Sequence, residues 1–211
     1  MSSIHDTKFD RIYDDKYYTE PWLTETVIPE LIKRVGFGAT LWEPSAGGCH
    51  MVQEFHDHGF NCTATDLDCC DFPLDWRAIS NTEPVDFFTT VIDNIEDIDV
   101  IAFNPPFGKL AYPFVQRALK HMMENDRIKV VAALCRSDFK HASTRDDIWS
   151  KCPYYAHEVV VQGRPRWDAW WTGVKLENGP KHNYSWYIWD KRDFGDVTTS
   201  FAKKPKGVKY D

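Results

Sequence analysis

Short apolar runs alternate along the chain with stretches whose apolar residues recur every three or four positions. The first such stretch predicts a helix from about Pro21 to Val35. Val27, Ile28, Leu31, Ile32 and Val35 fall on one face, and Pro29 kinks the helix or delays its start. A strand over Ala39–Glu43 follows, then a turn from Pro44 to Gly48. The next helix turns Met51, Val52 and Phe55 inward and stops at Gly59. A second strand is expected over Cys62–Asp66 and a weaker one around Asp86–Thr90, while the acidic run Asp93–Asp99 reads as a solvated loop. Val100-Ile101-Ala102-Phe103 is a fully apolar strand ending at Asn104. A helix over Tyr112–Met123 and strands over Ile128–Leu134, Val159–Val161 and Tyr184–Trp189 complete the pattern. The last of these alternates large aromatics with small or polar residues, as an edge or antiparallel strand does. This alternation predicts an α/β fold with a mixed, mainly parallel, Rossmann-like sheet of about seven strands flanked by helices. The expected domain runs over residues 1–190. Residues 191–211, poor in core formers, are expected to form an irregular basic tail.

Composition narrows the class. With 211 residues, 43% of them hydrophobic, one well-packed core is expected. No apolar run approaches the roughly 18 residues that a membrane span needs, so no membrane partner is expected. The polar, charged stretch 1–13 does not read as a secretory signal. The six cysteines form no Cys-x-x-Cys pair and suit a reducing compartment, so the expected location is the cytoplasm. A net charge of −7 argues against bulk, non-specific affinity for nucleic acid, but leaves room for contact through one local patch.

Ligands of open α/β sheets sit beyond the carboxyl ends of the strands. Glu43, Asp66 and Asn104 fall at such ends, and Asp86 lies near a fourth. In the turn Glu43-Pro44-Ser45-Ala46-Gly47-Gly48 the glycines allow close backbone approach to a ligand, although an ordinary strand–helix turn would use them too. The leading carboxylate suits a cationic, methionine-type ligand and would repel a pyrophosphate. Asp66 can accept both hydroxyls of a ribose, or cap a helix. Asp86 can accept a hydrogen bond from an adenine amino group, with Phe87 beside it for the base.

Asn104-Pro105-Pro106-Phe107 carries the most specific chemistry. Two prolines directly after a buried strand make a rigid turn without backbone donors. The turn presents acceptors instead: the Asn104 amide oxygen and a carbonyl, that of Pro105. Two aimed acceptors favour the pyramidal, charge-developing form of a conjugated amino nitrogen. Phe107 offers a ring for a planar target, worth roughly 1–3 kcal/mol.

These segments resemble the amino-group methyltransferases, especially the adenine-specific DNA methyltransferases with an Asn-Pro-Pro-(Phe/Tyr) motif. Tyr18-Thr19-Glu20-Pro21 is similar to the family's N-terminal cofactor motif, although Glu20 stands where proline is usual. Leu41–Gly48 resembles its cofactor loop, with Cys49 in place of the second glycine. Asp66, with Leu67 beside it, and Asp86-Phe87 match its ribose and adenine positions. Gly163-Arg164-Pro165-Arg166-Trp167 and the run His182–Asp190 look like a small branch found in phages and prophages. The resemblance spans about Tyr17 to Asp190. It implies S-adenosylmethionine as cofactor, held by Tyr18, Thr19, Pro21, Glu43, Pro44, Ser45, Ala46, Gly47, Asp66, Leu67, Asp86, Phe87 and Asn104. It implies Asn104, Pro105, Pro106 and Phe107 as the catalytic segment, with Phe107, Arg164, Arg166 and Trp167 meeting the substrate. The implied substrate is adenine in DNA, flipped out of the stack. Adenine in RNA and a protein glutamine amide carry similar planar amino groups. A degenerate fold acting as a binding or interaction module is the non-enzymatic alternative.

Cys49, His50, His56, His58, Cys62, Cys69 and Cys70 include metal-ligand types, but their spacing matches no zinc finger or ribbon, and no metal is expected. Arg164, Arg166, Trp167, Trp170 and Trp171 mix charge with aromatic surface: they either contact nucleic acid or fold over the sheet with the tryptophans in the core. Lys203, Lys204, Lys206 and Lys209 make the tail basic, which suits phosphates or simple solubility.

Overall fold

The computed structural model describes residues 18–68, 84–90, 97–167 and 181–207. The expected helix over 21–35 is two helices, α1 (Pro21–Glu25) and α2 (Ile28–Val35), each with proline in its first turn. There the missing proline N–H costs no helix bond. Strands β1 (Thr40–Glu43), β2 (Asn61–Ala64) and β3 (Val100–Phe103) and helices α3 (His50–Asp57) and α4 (Ala111–Glu124) follow the sequence pattern within a few residues. Beyond them come β4 (Val130–Arg136), β5 (Tyr155–Gln162), β6 (Tyr184–Asp190) and β7 (Thr198–Lys203).

All seven strands share one sheet in the order β2-β1-β3-β4-β6-β5-β7. The strands β1 to β4 run parallel, β6 is antiparallel to β4 and β5, and β7 is parallel to β5. The carboxyl ends of six strands therefore share one edge with the start of β6. Both faces are covered. Leu41, Val100, Ala102, Val130 and Ala132 pack with α1 to α3 on one side; Trp42, Ile101, Phe103, Val131 and Ala133 pack with α4 on the other. Burial on two faces is why β3 reads as an unbroken apolar run.

Three expectations are corrected. Residues 86–90 form a turn rather than a strand. The Asp86 side chain accepts the Phe88 N–H (2.9 Å) and its carbonyl accepts Thr90 N–H (2.9 Å), a local bonding that competes with strand pairing. Second, β6 is antiparallel as one of the two alternatives had it, but it is interior rather than at the edge, with every residue buried. Its polar positions mislead because Ser185 and Asp190 find partners indoors, Ser137 and the Arg34–Arg192 pair. Third, the stretch expected to be irregular contains β7. Its side chains stay largely exposed because among the described residues it pairs with β5 alone, so hydrophobic pattern could not reveal it. Cys69, Cys70, Trp170, Trp171, Lys209 and most of the acidic run Asp93–Asp99 lie outside the described residues.

Candidate active site

A cavity of about 860 Å³ opens at the carboxyl ends of β1, β2 and β3. Its lining gathers Tyr18, Thr19, Glu43, Pro44, Ser45, Ala46, Gly47, Asp66, Leu67, Asp86, Phe87 and the turn Asn104–Phe107. Distant stretches of sequence thus meet in one place.

The loop after β1 is held by specific bonds. Gly47 donates its N–H to Asp66 Oδ2 (2.8 Å), and Asp68 donates to Asp66 Oδ1 (2.9 Å). Ser45 Oγ donates to the Asn104 carbonyl (3.1 Å), joining the loop to the turn after β3. Gly47 adopts φ +51°, and a Cβ there would stand 3.1 Å from the Tyr18 ring. Tyr18 lies over the loop, its ring 4.8 Å from that of His50. Cys49 keeps the glycine-like conformation of the position it occupies, with φ +60°. A left-handed backbone at a non-glycine residue costs roughly 1–2 kcal/mol, offset by packing of its buried side chain with Ala46, Val52 and Ala64.

Glu43 is buried, and among the described residues its Oε2 has no hydrogen-bond partner. Burial, reinforced by nearby Asp66, holds its carboxyl well above the usual carboxylate range; a hydrogen bond from the Val52 backbone acts in the opposite direction. Burial also lowers the His50 pKa, so Glu43 and the His50 ring are both disposed to neutrality.

The Asn104 amide is oriented by Thr19, whose Oγ1 accepts its Nδ2 hydrogen (3.2 Å). Phe107 is half-buried and meets Trp167 edge-on, with centroids 5.4 Å apart, and Tyr184 at 6.3 Å. Arg164, Arg166 and Trp167 stand outside the cavity lining. The Arg164 Nε donates to Asn183 (3.0 Å), and the Arg166 backbone N–H donates to Glu20. Trp167 packs against the core, so it backs Phe107. Pro21 is likewise outside the lining; it starts α1. Phe87 is buried against Phe114, with ring centroids 4.3 Å apart, whereas Phe88 is exposed.

His50, Met51, Asp68, Val85, Leu110 and Phe114 also line the cavity and escape the sequence reading; Phe88, the neighbour of Phe87, lines it as well. Met51 and Phe114 look like ordinary inward helix positions. Leu110 sits in a 3-10 turn before α4, which no periodicity marks. Among the described residues no group of three His, Cys, Asp or Glu side chains is placed to hold a metal ion, and no helix is long and apolar enough to cross a membrane.

Solved structures match this architecture. A proposed class I S-adenosylmethionine-dependent methyltransferase from Listeria monocytogenes superposes with TM-score 0.63 at 11% identity, over 91% of this chain and 67% of its own. The chain has the class I methyltransferase fold. The methyltransferase subunit of a type I restriction–modification system from Streptococcus thermophilus matches with TM-score 0.62 at 12% identity, over 89% of this chain and 47% of its own. A proposed RNA methyltransferase from Pyrococcus horikoshii matches with TM-score 0.64 at 12% identity, over 87% and 90%. This methyltransferase-fold chain thus spans about half the length of the restriction–modification subunit. No family model and no curated protein matches the sequence.

Proposed function

We propose that the chain is an S-adenosylmethionine-dependent methyltransferase acting on an exocyclic amino nitrogen, that of adenine in DNA. The observation that carries this reading is the turn Asn104–Phe107 standing in the same cavity as Glu43, Gly47 and Asp66. The residues fit the cofactor. A buried carboxylate with an oxygen that has no partner among the described residues suits a cationic amino-acid end, and Gly47 lets the loop pass directly under the Tyr18 ring that borders the cavity. Glu43 and the loop to Gly47 would hold the methionine part, Asp66 the ribose, and Leu67, Asp86 and Phe87 the adenine, with Phe88 beside them. S-adenosylmethionine supplies an electrophilic methyl group when bound.

The protein's part is to make a poor nucleophile a better one. The lone pair of an adenine amino group is delocalised into the ring. Asn104 and the Pro105 carbonyl accept its two hydrogens and stabilise the pyramidal form and the positive charge that grows on nitrogen. Phe107 fixes the plane of the ring. Arg164 and Arg166 stand beside this wall as candidates for phosphate contact. The Asn-Pro-Pro-Phe turn and the Arg-Pro-Arg segment together support the phage and prophage branch. A second reading, adenine in RNA, draws support from the near-complete length match to the proposed RNA methyltransferase.

The test is transfer of labelled methyl groups to separate DNA, RNA and protein pools, with Asn104→Ala beside the wild type. The proposal expects label in DNA that disappears with Asn104→Ala. Label only in RNA would shift the substrate, and label only in protein would overturn the nucleic-acid reading.

A further inference from the structure

Glu20 is fully buried, and the chemistry above does not use it. Its Oε1 accepts the backbone N–H of Arg166, and its Oε2 accepts the indole N–H of Trp22. The Lys204 ammonium stands 3.5 Å from Oε2 and 4.9 Å from the centre of the Trp22 ring. Gly163 makes room for this lysine: its φ is +149°, and a Cβ there would lie 2.6 Å from the Lys204 Cβ. One carboxylate thus ties together the segment before α1, the segment after β5 and the end of β7. A buried charge is tolerated where donors and a counter-charge surround it, and removing one partner strands the others.

The neighbours of these atoms give the tie its meaning. Thr19, next to Glu20, accepts the Asn104 amide hydrogen. Trp167, next to Arg166, stands edge-on to both Phe107 and Tyr184, at 5.4 and 4.9 Å. The dipeptide Thr19-Glu20 therefore touches the amide that faces the target and the segment that backs the target's ring. We propose that Glu20 is a positioning residue for the target. Its carboxylate fixes Gly163–Trp167 so that Trp167 holds Phe107 in place as the wall for a planar base. This inference rests on the amino-group reading above. It also gives a purpose to a carboxylate at a position where the resembling family usually has proline.

Glu20→Gln keeps the shape but turns an amide donor toward Trp22 or Arg166 and loses the charge facing Lys204. The Arg166 amide should then exchange with solvent roughly tenfold faster by NMR, the equivalent of one lost hydrogen bond. The KM for an adenine-containing DNA oligonucleotide should rise severalfold, with cofactor affinity by calorimetry unchanged. In a Trp167→Ala background Glu20→Gln should add nothing to KM, because the two act through one wall. Lys204→Met, which keeps the carboxylate, should show the same effects more weakly and serves if Glu20→Gln does not fold. Unchanged Arg166 exchange, a KM effect that multiplies undiminished with Trp167→Ala, or a loss confined to cofactor affinity would overturn the inference. A wild type that methylates no nucleic acid would instead sink the nucleic-acid reading, and Arg166 exchange would still report whether the tie exists.

Discussion

The sheet divides at β3 into two halves that are built on different principles. On the β2-β1-β3 side all strands run parallel and the site is made of loops leaving their carboxyl ends. That side is acidic, with Glu43, Asp66, Asp68 and Asp86 around the cavity. On the β4-β6-β5-β7 side an antiparallel strand intervenes, and the same edge carries Arg136, Arg164, Arg166, Lys181, Lys203 and Lys204. Aromatic rings gather where this half meets β3: Phe107, from the turn after β3, forms a corner with Trp167 and Tyr184. An acidic pocket suits a cationic cofactor, and a basic, aromatic edge suits a base attached to phosphates. The net charge of −7 averages over this division and conceals it. Asn104 stands at the seam, bonded to Thr19 and joined through Ser45 to the loop after β1.

If the seam does the chemistry, its removal should have the largest effect. Asn104→Ala should lower single-turnover methyl transfer by on the order of 10²–10³, the usual loss for one transition-state hydrogen-bonding group. A drop of less than tenfold would move the chemistry elsewhere. Next comes the acidic half. Asp66→Ala should weaken cofactor binding by roughly ten- to a hundredfold in calorimetry, since it removes a charged acceptor and loosens Gly47. Oligonucleotide binding should scarcely change, and if both affinities fell together the two halves would not be functionally separate.

Glu43 provides a subtler probe. Its carboxyl is raised well above 4.5 by burial and by Asp66. A cationic ligand needs the carboxylate form, so cofactor affinity should climb as pH rises toward and through that elevated pKa. Glu43→Gln should flatten the climb. Stability has the opposite sign. A raised pKa in the folded state adds stability that is fully present below 4.5 and is lost as pH rises through the folded value. Cofactor-free Glu43→Gln should therefore unfold at a higher temperature than the wild type at mildly alkaline pH. A pH-independent affinity in the wild type would remove Glu43 from the cofactor site. The smallest effect is expected at Cys49. Replacing it with glycine relieves the φ of +60° but loses a buried side chain, so thermal unfolding should shift by no more than about 1 kcal/mol.

The halves also differ in how much the sequence discloses. The proposed cofactor side is legible because each part is local: Glu43–Gly47 is contiguous, Asp66 ends an apolar run, and Asn104 ends another. The double proline after Asn104 could simply end a strand, but a turn without backbone donors is conspicuous there. The target side depends on contacts across the chain. Glu20 meets Arg166 over 146 positions, and β7 has too few apolar residues to announce itself. Trp167 reads equally well as surface or core until its packing against Phe107 is known. Leu110 and Phe114 reach the cavity only because the turn directs the start of α4 toward it, and Phe114 also fits a plain amphipathic pattern.

In the proposed chemistry the Asn104 turn presents acceptors to the amino group of adenine. It is tested most directly by the nucleoside composition of DNA incubated with the protein and S-adenosylmethionine. The wild type should form N6-methyldeoxyadenosine, and Asn104→Ala should form on the order of 10²–10³ times less. A methylated carbon on any base, or N6-methyldeoxyadenosine formed undiminished by the variant, would contradict it.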